Sequence, residues 1–423
     1  MNRSQAPQVK PFGHLSIPPE TVEELSNGIK LHYISGGDQP VCRLMLCFAG
    51  GVAEIGNTVT GRIVMSMLTN GSAHYSTEET ADILDFNGIR IGSSQRSHYC
   101  TLRISMLNHR VGDVMPVMTN FLNEPSFPAD RLETACLNAR TQIETDMAEP
   151  SFEVEKLFDE LMLGKGHPLA ITPSPSFAEG FTVDNARMLY RRLLCTSKCE
   201  AFLSGALDDN IIQSVRMALE SVSSLSDGFD FNYVDIAPPS SPQHICVSRP
   251  DSLQSTVKAG IPSIGRNHAD YIPLHLSTMA LGGYFGSRLM TNIREEKGLT
   301  YGIHASLIGQ REGAYMQISA QCDKSYTAQV LDEIRNELKR LSTNPPTGRE
   351  LKRLKLYATS SLAKSLDSPD EIMDFYMTRL MADTPADYFD ARLRAINALD
   401  SDTIALIADT YLNPEFLSTV SNA

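Results

Sequence analysis

The chain repeats itself: 423 residues carry one order of elements twice, which constrains the fold to two similar lobes, each with its own sheet and helices. In the first half an apolar strand over Cys42 to Ala49 leads through Val52-Ala53-Glu54-Ile55-Gly56 into a helix over Gly61 to Leu68. In the second, a strand over Ser255 to Gly260 leads through Ile261-Pro262-Ser263-Ile264-Gly265 into a helix over Ala269 to Leu281. A helix end, a glycine and a strand start follow in each, at Ile83 to Gly92 and at Met290 to Gly302. Alternating strands come next, Tyr99 to Leu107 and Ala314 to Gln321, each before an amphipathic helix. Asp146 to Pro150 with Phe158 to Leu163 then mirrors Ser365 to Pro369 with Phe375 to Met381.

This order predicts an α+β chain. Two homologous lobes, residues 1–221 and 243–423, each hold a mainly antiparallel sheet with helices packed on one face, and they form a clam-like chamber. Residues 222–242 contain Ser223-Ser224, Asp227-Gly228 and Pro238-Pro239-Ser240-Ser241-Pro242, a composition suited to an exposed linker.

The 50 acidic and 37 basic residues leave a net charge of −13, which argues against nucleic acid or an anionic membrane as partner. Met1 to Pro19 lacks the apolar run of a signal peptide and no stretch is long enough to span a bilayer, so a cytoplasmic location is the expectation. Eight scattered cysteines, including Cys195 and Cys199 four apart, show no paired framework and read as reduced thiols.

One stretch, Arg294-Glu295-Glu296-Lys297-Gly298-Leu299-Thr300-Tyr301, sets a permanent cation and a phenol seven positions apart across a glycine break. A glycine-rich turn, Gly282-Gly283-Tyr284-Phe285-Gly286, precedes it, and a short helix ending at Lys297 is expected between them, stopped by Gly298. In register with the first half, Arg294 corresponds to Leu84 and Tyr301 to Ile91, so the scaffold itself does not require a cation and a phenol. Both could converge on one edge of a cleft.

This stretch closely resembles the second-half signature of the insulinase/pitrilysin family of zinc metallopeptidases. The resemblance implies a clam-like chamber, a zinc site on an inverted His-x-x-Glu-His helix in the first half, and an Arg/Tyr pair that holds the substrate carbonyl. By order of elements that helix is Gly61 to Ser72, and the motif falls on Val64, Met67 and Leu68, with Glu144 at the distance of the third ligand. Val, Met and Leu neither hold zinc nor take a proton from a metal-bound water. No cofactor is therefore expected on this chain.

The resemblance is to subunits that lack the zinc motif and keep the pair. It implies a non-metal-binding subunit of a two-chain peptidase, in which Arg294 and Tyr301 contact the substrate carbonyl beside the zinc of a homologous partner. Self-association is the other assembly open to it, and peptides are the expected ligand, taken up by strand addition to a sheet edge. The competing reading is a non-enzymatic peptide-binding or scaffold protein on the same fold.

Overall fold

The computed structural model describes residues 15–249 and 251–422. In the first half, β1 (Thr21–Glu24), β2 (Lys30–Ser35), β3 (Val41–Ala49), β4 (Arg90–Gln95), β5 (Tyr99–Leu107) and β6 (Cys199–Gly205) form a sheet in the order β1-β2-β6-β3-β5-β4. In the second, β7 (His244–Val247), β8 (Gln254–Ser263), β9 (Thr300–Gln310), β10 (Gly313–Asp323) and β11 (Ser418–Asn422) are ordered β7-β11-β8-β10-β9. Setting β1 aside, the two orders superimpose strand for strand, so the repeat seen in the sequence is a repeat of topology. Each sheet is mixed: its ladders are antiparallel except β2 with β6 and β7 with β11. In each half the last strand joins the sheet beside the first long one, which ties the end of the repeat to its start.

Helices of each half pack on its own sheet as expected, and the exchange of one helix between halves adds to that layout. Each half also sends one helix onto the sheet of the other. The Pro150–Leu163 helix of the first half packs on β8 and β11, burying Val154, Phe158 and Met162 against Tyr315 and Val420. The Pro369–Met381 helix of the second half lies on β2 and β6, where Ile372 and Met373 meet Ile34, Met45, Cys47 and Phe202. Gly260 in β8 permits the first of these contacts, because a Cβ there would lie 2.6 Å from Met162 Sδ and 2.8 Å from the Phe158 ring. On the second, Arg43 in β3 donates to both carboxylate oxygens of Asp374 (3.0 and 2.8 Å) and to the Asp370 carbonyl (2.7 Å). Such forked donation fixes the helix in rotation as well as position.

Residues 222–242 hold no helix or strand and are mostly exposed, yet the segment is anchored. Phe229 is buried under the Arg192 guanidinium, 3.9 Å from its ring centroid. The Ala237 amide donates to Leu163 and the Ile236 amide to Glu312. His167, in the Gly166-His167-Pro168 turn, holds the Val234 carbonyl at 2.7 Å through Nε2.

Two histidines, His32 buried and His98 partly buried, sit between carboxylates, and each cluster reaches across the halves. His98, at the β4–β5 turn, contacts Glu54 at 2.7 Å and Glu312 of the β9–β10 turn at 2.6 Å. His32 in β2 contacts Glu20 at 2.9 Å and Glu200 at 2.8 Å, and Glu20 also faces Arg379 of the Pro369–Met381 helix at 3.5 Å. Burial alone would depress each imidazole, but the hydrogen bonds and charges of its two carboxylates outweigh it and push the pKa up to about 9. A pKa raised on folding stabilises fully below the unfolded value, near 6.5, and that stabilisation is lost as pH rises through about 9. We therefore expect stability, and with it melting temperature, to fall as pH rises between these values. A thermal melt series of His98→Gln should lose part of that alkaline slope, and an unchanged slope would mean that this histidine is not charged in the fold.

Candidate functional site

Two local distortions present the Arg294/Tyr301 stretch. Residues Met290–Glu296 form a wide π-helical turn rather than the expected ordinary helix, with the Lys297 amide bonded to the Asn292 carbonyl and the Leu299 amide to Ile293. Gly298 then takes φ +63°, a left-handed conformation that costs glycine little, and the chain reverses into β9. The second distortion is a bulge. Thr300 pairs with Cys322 and Gly302 with Gln321, so Tyr301 is an extra residue without a partner on β10. Thr300 Oγ1 bonds the Gly302 carbonyl at 2.8 Å and the Gln321 carbonyl at 2.5 Å, pinning the bulge on both sides. Wide helical turns and bulges are both devices that re-aim side chains, and both are frequent at functional sites.

These features bring Arg294 and Tyr301 together. Arg294 Nε donates to the Tyr301 carbonyl at 2.8 Å, and its guanidinium lies 4.9 Å from the Phe285 ring centroid. Among the described residues Arg294 forms no ion pair, with Glu295, Glu296 or any other carboxylate. Lys297 instead takes Glu333, at 2.5 Å. The Tyr301 side chain stands 87% exposed and Phe285 62%. Two exposed aromatic side chains, Phe285 beside the Arg294 guanidinium and Tyr301, thus stand near the start of β9, which is the last strand of its sheet and presents one unpaired edge.

The residues expected at the metal positions lie elsewhere. Val64, Met67 and Leu68 are 0 to 1% exposed and belong to the first-half core, so none of them borders a cleft. Glu144 is exposed on the Ala129–Ala148 helix and forms an i,i+4 pair with Arg140 at 2.8 Å. The open face of the Thr60–Met67 helix carries Arg62 and Ser66, four residues apart. With Ser93 of β4 and Asn138 and Gln142 of the Ala129–Ala148 helix, they line a cavity of about 450 Å³. Sequence reasoning missed this face. Its signal was the one polar pair at i,i+4 in an otherwise apolar helix.

The donor set at that cavity does not suit zinc. A guanidinium, two hydroxyls and two carboxamides replace the imidazoles and carboxylates that would bind it, and the guanidinium adds positive charge where a cation would sit. Among the described residues no group of three or more His, Cys, Asp or Glu side chains is disposed to hold a metal ion. The eight cysteines are unpaired, seven of them buried and Cys246 exposed. Neither Arg294 nor Tyr301 lines the cavity at Arg62.

Comparison with known proteins gives a consistent picture. Residues 180–356 match the peptidase M16 inactive domain. An uncharacterized zinc protease of Streptomyces coelicolor is 25% identical over 53% of this chain, and the match spans 50% of that protein. The uncharacterized zinc protease YmxG of Bacillus subtilis is 19% identical over 73% of the chain and 74% of its own length. The non-peptidase homolog YmxG of Helicobacter pylori is 22% identical over 63% and 62%. Among solved structures, a peptidase M16 inactive domain from Pseudomonas fluorescens superimposes with a TM-score of 0.84 at 20% identity, covering 95% of this chain and 98% of that one. A protease from Helicobacter pylori does so with 0.86 at 13% identity, covering 96% and 100%. With the ordered Arg294 to Tyr301 signature and the matched sheet topology, these likenesses show that the chain has the fold of the peptidase M16 structures and resembles the peptidase M16 inactive domain over residues 180–356.

Proposed function

We propose that this chain is the non-metal-binding subunit of a two-chain zinc metallopeptidase, and that it binds extended peptides while lending Arg294 and Tyr301 to the site of a homologous zinc-bearing partner. One observation carries the reading: Tyr301 is exposed and Arg294 holds its main-chain carbonyl, while the cavity at Arg62 and Ser66 offers no metal donors. Because Val64, Met67 and Leu68 are core residues, we take Arg62 and Ser66 as the degenerate metal positions, with Met65 in place of the carboxylate. The same i,i+4 geometry would otherwise set two imidazoles on the open face.

In this arrangement a guanidinium N–H and the phenolic hydroxyl hold the oxygen of the scissile carbonyl, where negative charge grows during attack. The peptide would add as a strand to an open edge, β4 beside the cavity or β9 beside Tyr301, with main-chain hydrogen bonds giving affinity and little side-chain selection. No helix among the described residues is long and apolar enough to cross a membrane, and we place the assembly in the cytoplasm.

A second reading, a peptide-binding scaffold without catalysis, is favoured by the Helicobacter relative described as a non-peptidase homolog. The two part on a simple result. Purified alone, the chain should carry far less than stoichiometric zinc and hydrolyse no peptide, and affinity capture from its native extract should recover a homologue with an intact His-x-x-Glu-His helix. Stoichiometric zinc with robust cleavage by the isolated chain would sink both readings, and recovery of no such homologue would favour the scaffold.

A further inference from the structure

A cavity of about 150 Å³, separate from the Arg294/Tyr301 site, lies where the Tyr271–Gly282, Pro369–Met381 and Tyr388–Ala398 helices meet Leu307 of β9. Arg266, Arg379 and Arg392 all line it, together with His275 and Thr378, and its lining contains no Asp or Glu. Three arginines around one small cavity are unexpected in a chain whose net charge is −13. Their mutual repulsion costs stability unless an anion offsets it.

The carboxylates that could do so are engaged elsewhere. Asp387 pairs with Arg394 at 2.8 Å, and Asp270 accepts the Tyr411 hydroxyl at 2.7 Å. Glu20 reaches Arg379 only at 3.5 Å and is bonded to His32 at 2.9 Å. Arg266 and Arg392 form no ion pair among the described residues; they lie 5.8 and 5.9 Å from the ring centroids of Tyr271 and Tyr388. Arg379 Nε is buried and lacks a hydrogen-bond partner among the described residues.

The site is also braced. Arg266 Nε donates to the Gly309 carbonyl at 3.2 Å, and the turn at Asp383, with φ +53°, folds back so that the Thr384 amide bonds the Arg379 carbonyl at 3.0 Å. The pocket's field is felt by His275: burial, then the charges of Arg392 and Arg266, push its pKa down to about 4, so it faces the cavity neutral.

We propose that this cavity binds a phosphate dianion, free or as the head group of a small phosphomonoester, through the forked donors of Arg266, Arg379 and Arg392. Guanidinium forks match tetrahedral oxyanions bidentately. The volume, roughly five waters at about 30 Å³ each, admits one such head group, and the remainder of a phosphomonoester would extend past exposed Thr378.

The test is calorimetric and thermal titration of the full chain at fixed ionic strength with inorganic phosphate, glycerol 3-phosphate and chloride. Saturable binding of inorganic phosphate with a matching rise in melting temperature, and none with chloride, is expected. Glycerol 3-phosphate binding equally would identify the head-group mode, and its exclusion the free ion. Arg392→Gln should weaken phosphate binding at least about tenfold and raise the melting temperature without phosphate, because one repulsive charge is gone. Arg392→Lys, which keeps the charge and loses the fork, should fall between. Absence of saturable phosphate binding overturns the proposal, as does an affinity unchanged in both Arg392→Gln and Arg266→Gln.

Discussion

Phe158→Ala should destabilise the chain by about 3 to 5 kcal/mol, the cost of removing a buried aromatic ring and leaving its cavity, and should do so in the half that does not contain it. Phe158 is 1% exposed on the Pro150–Leu163 helix and stands edge-on to Tyr315 of β10, ring centroids 6.1 Å apart. Around it lie Val154, Met162 and Val420, all fully buried, in a cluster built from both halves. The first-half core, by contrast, does not include it. Denaturant unfolding measures the loss, and hydrogen exchange locates it: protection should drop in β8 and β11 at least as much as in the first sheet. A loss under about 1 kcal/mol with β8 and β11 unchanged would mean that the helix is a passenger on that surface.

The reason this matters for function is rigidity. Because each half holds a helix of the other against its sheet, with the Arg43 fork and the His98 cluster as polar ties, the halves are poorly placed to open independently. The open edges β4 and β9 are then fixed in relation to each other, which favours strand addition to a preformed surface.

Much of this was legible in the sequence, for identifiable reasons. Alternating strands such as Tyr99–Leu107 and glycine breaks such as Gly298 carry local signals, and the repeat doubled each of them. The exchanged helices were not legible, since an apolar stripe at Val154, Phe158 and Met162 says that a face is buried and not against which sheet. Nor was the Glu54, His98 and Glu312 cluster, whose members meet only through the tertiary fold. The three arginines of the proposed phosphate pocket were hidden for the same reason. Our proposed shift of the metal positions on the Thr60–Met67 helix to Arg62 and Ser66 was not legible, because the flanking glycines fix the helix only to within a turn. Within it, five apolar residues, Ile63, Val64, Met65, Met67 and Leu68, all read as core. The wide turn before Gly298 and the bulge at Tyr301 depend on backbone pairing, which no residue type in the stretch specifies.

The largest functional effect is expected at Tyr301. If Tyr301 and Arg294 hold the substrate carbonyl oxygen as charge develops, deleting one donor should cost about 10²- to 10³-fold in kcat, or roughly 2.7 to 4 kcal/mol. Arg294→Ala also removes the bond to the Tyr301 carbonyl and the stacking on Phe285, so part of its loss would be positional. Tyr301→Phe removes a single hydroxyl from a side chain that is 87% exposed, so folding and assembly should be untouched. The decisive measurement is peptide hydrolysis by this chain assembled with the proposed zinc-bearing homologue, comparing wild type with Tyr301→Phe at equal complex and metal content. A drop of about a hundredfold in kcat/KM is the predicted result; an unchanged kcat/KM would contradict a role for this chain in completing its partner's site.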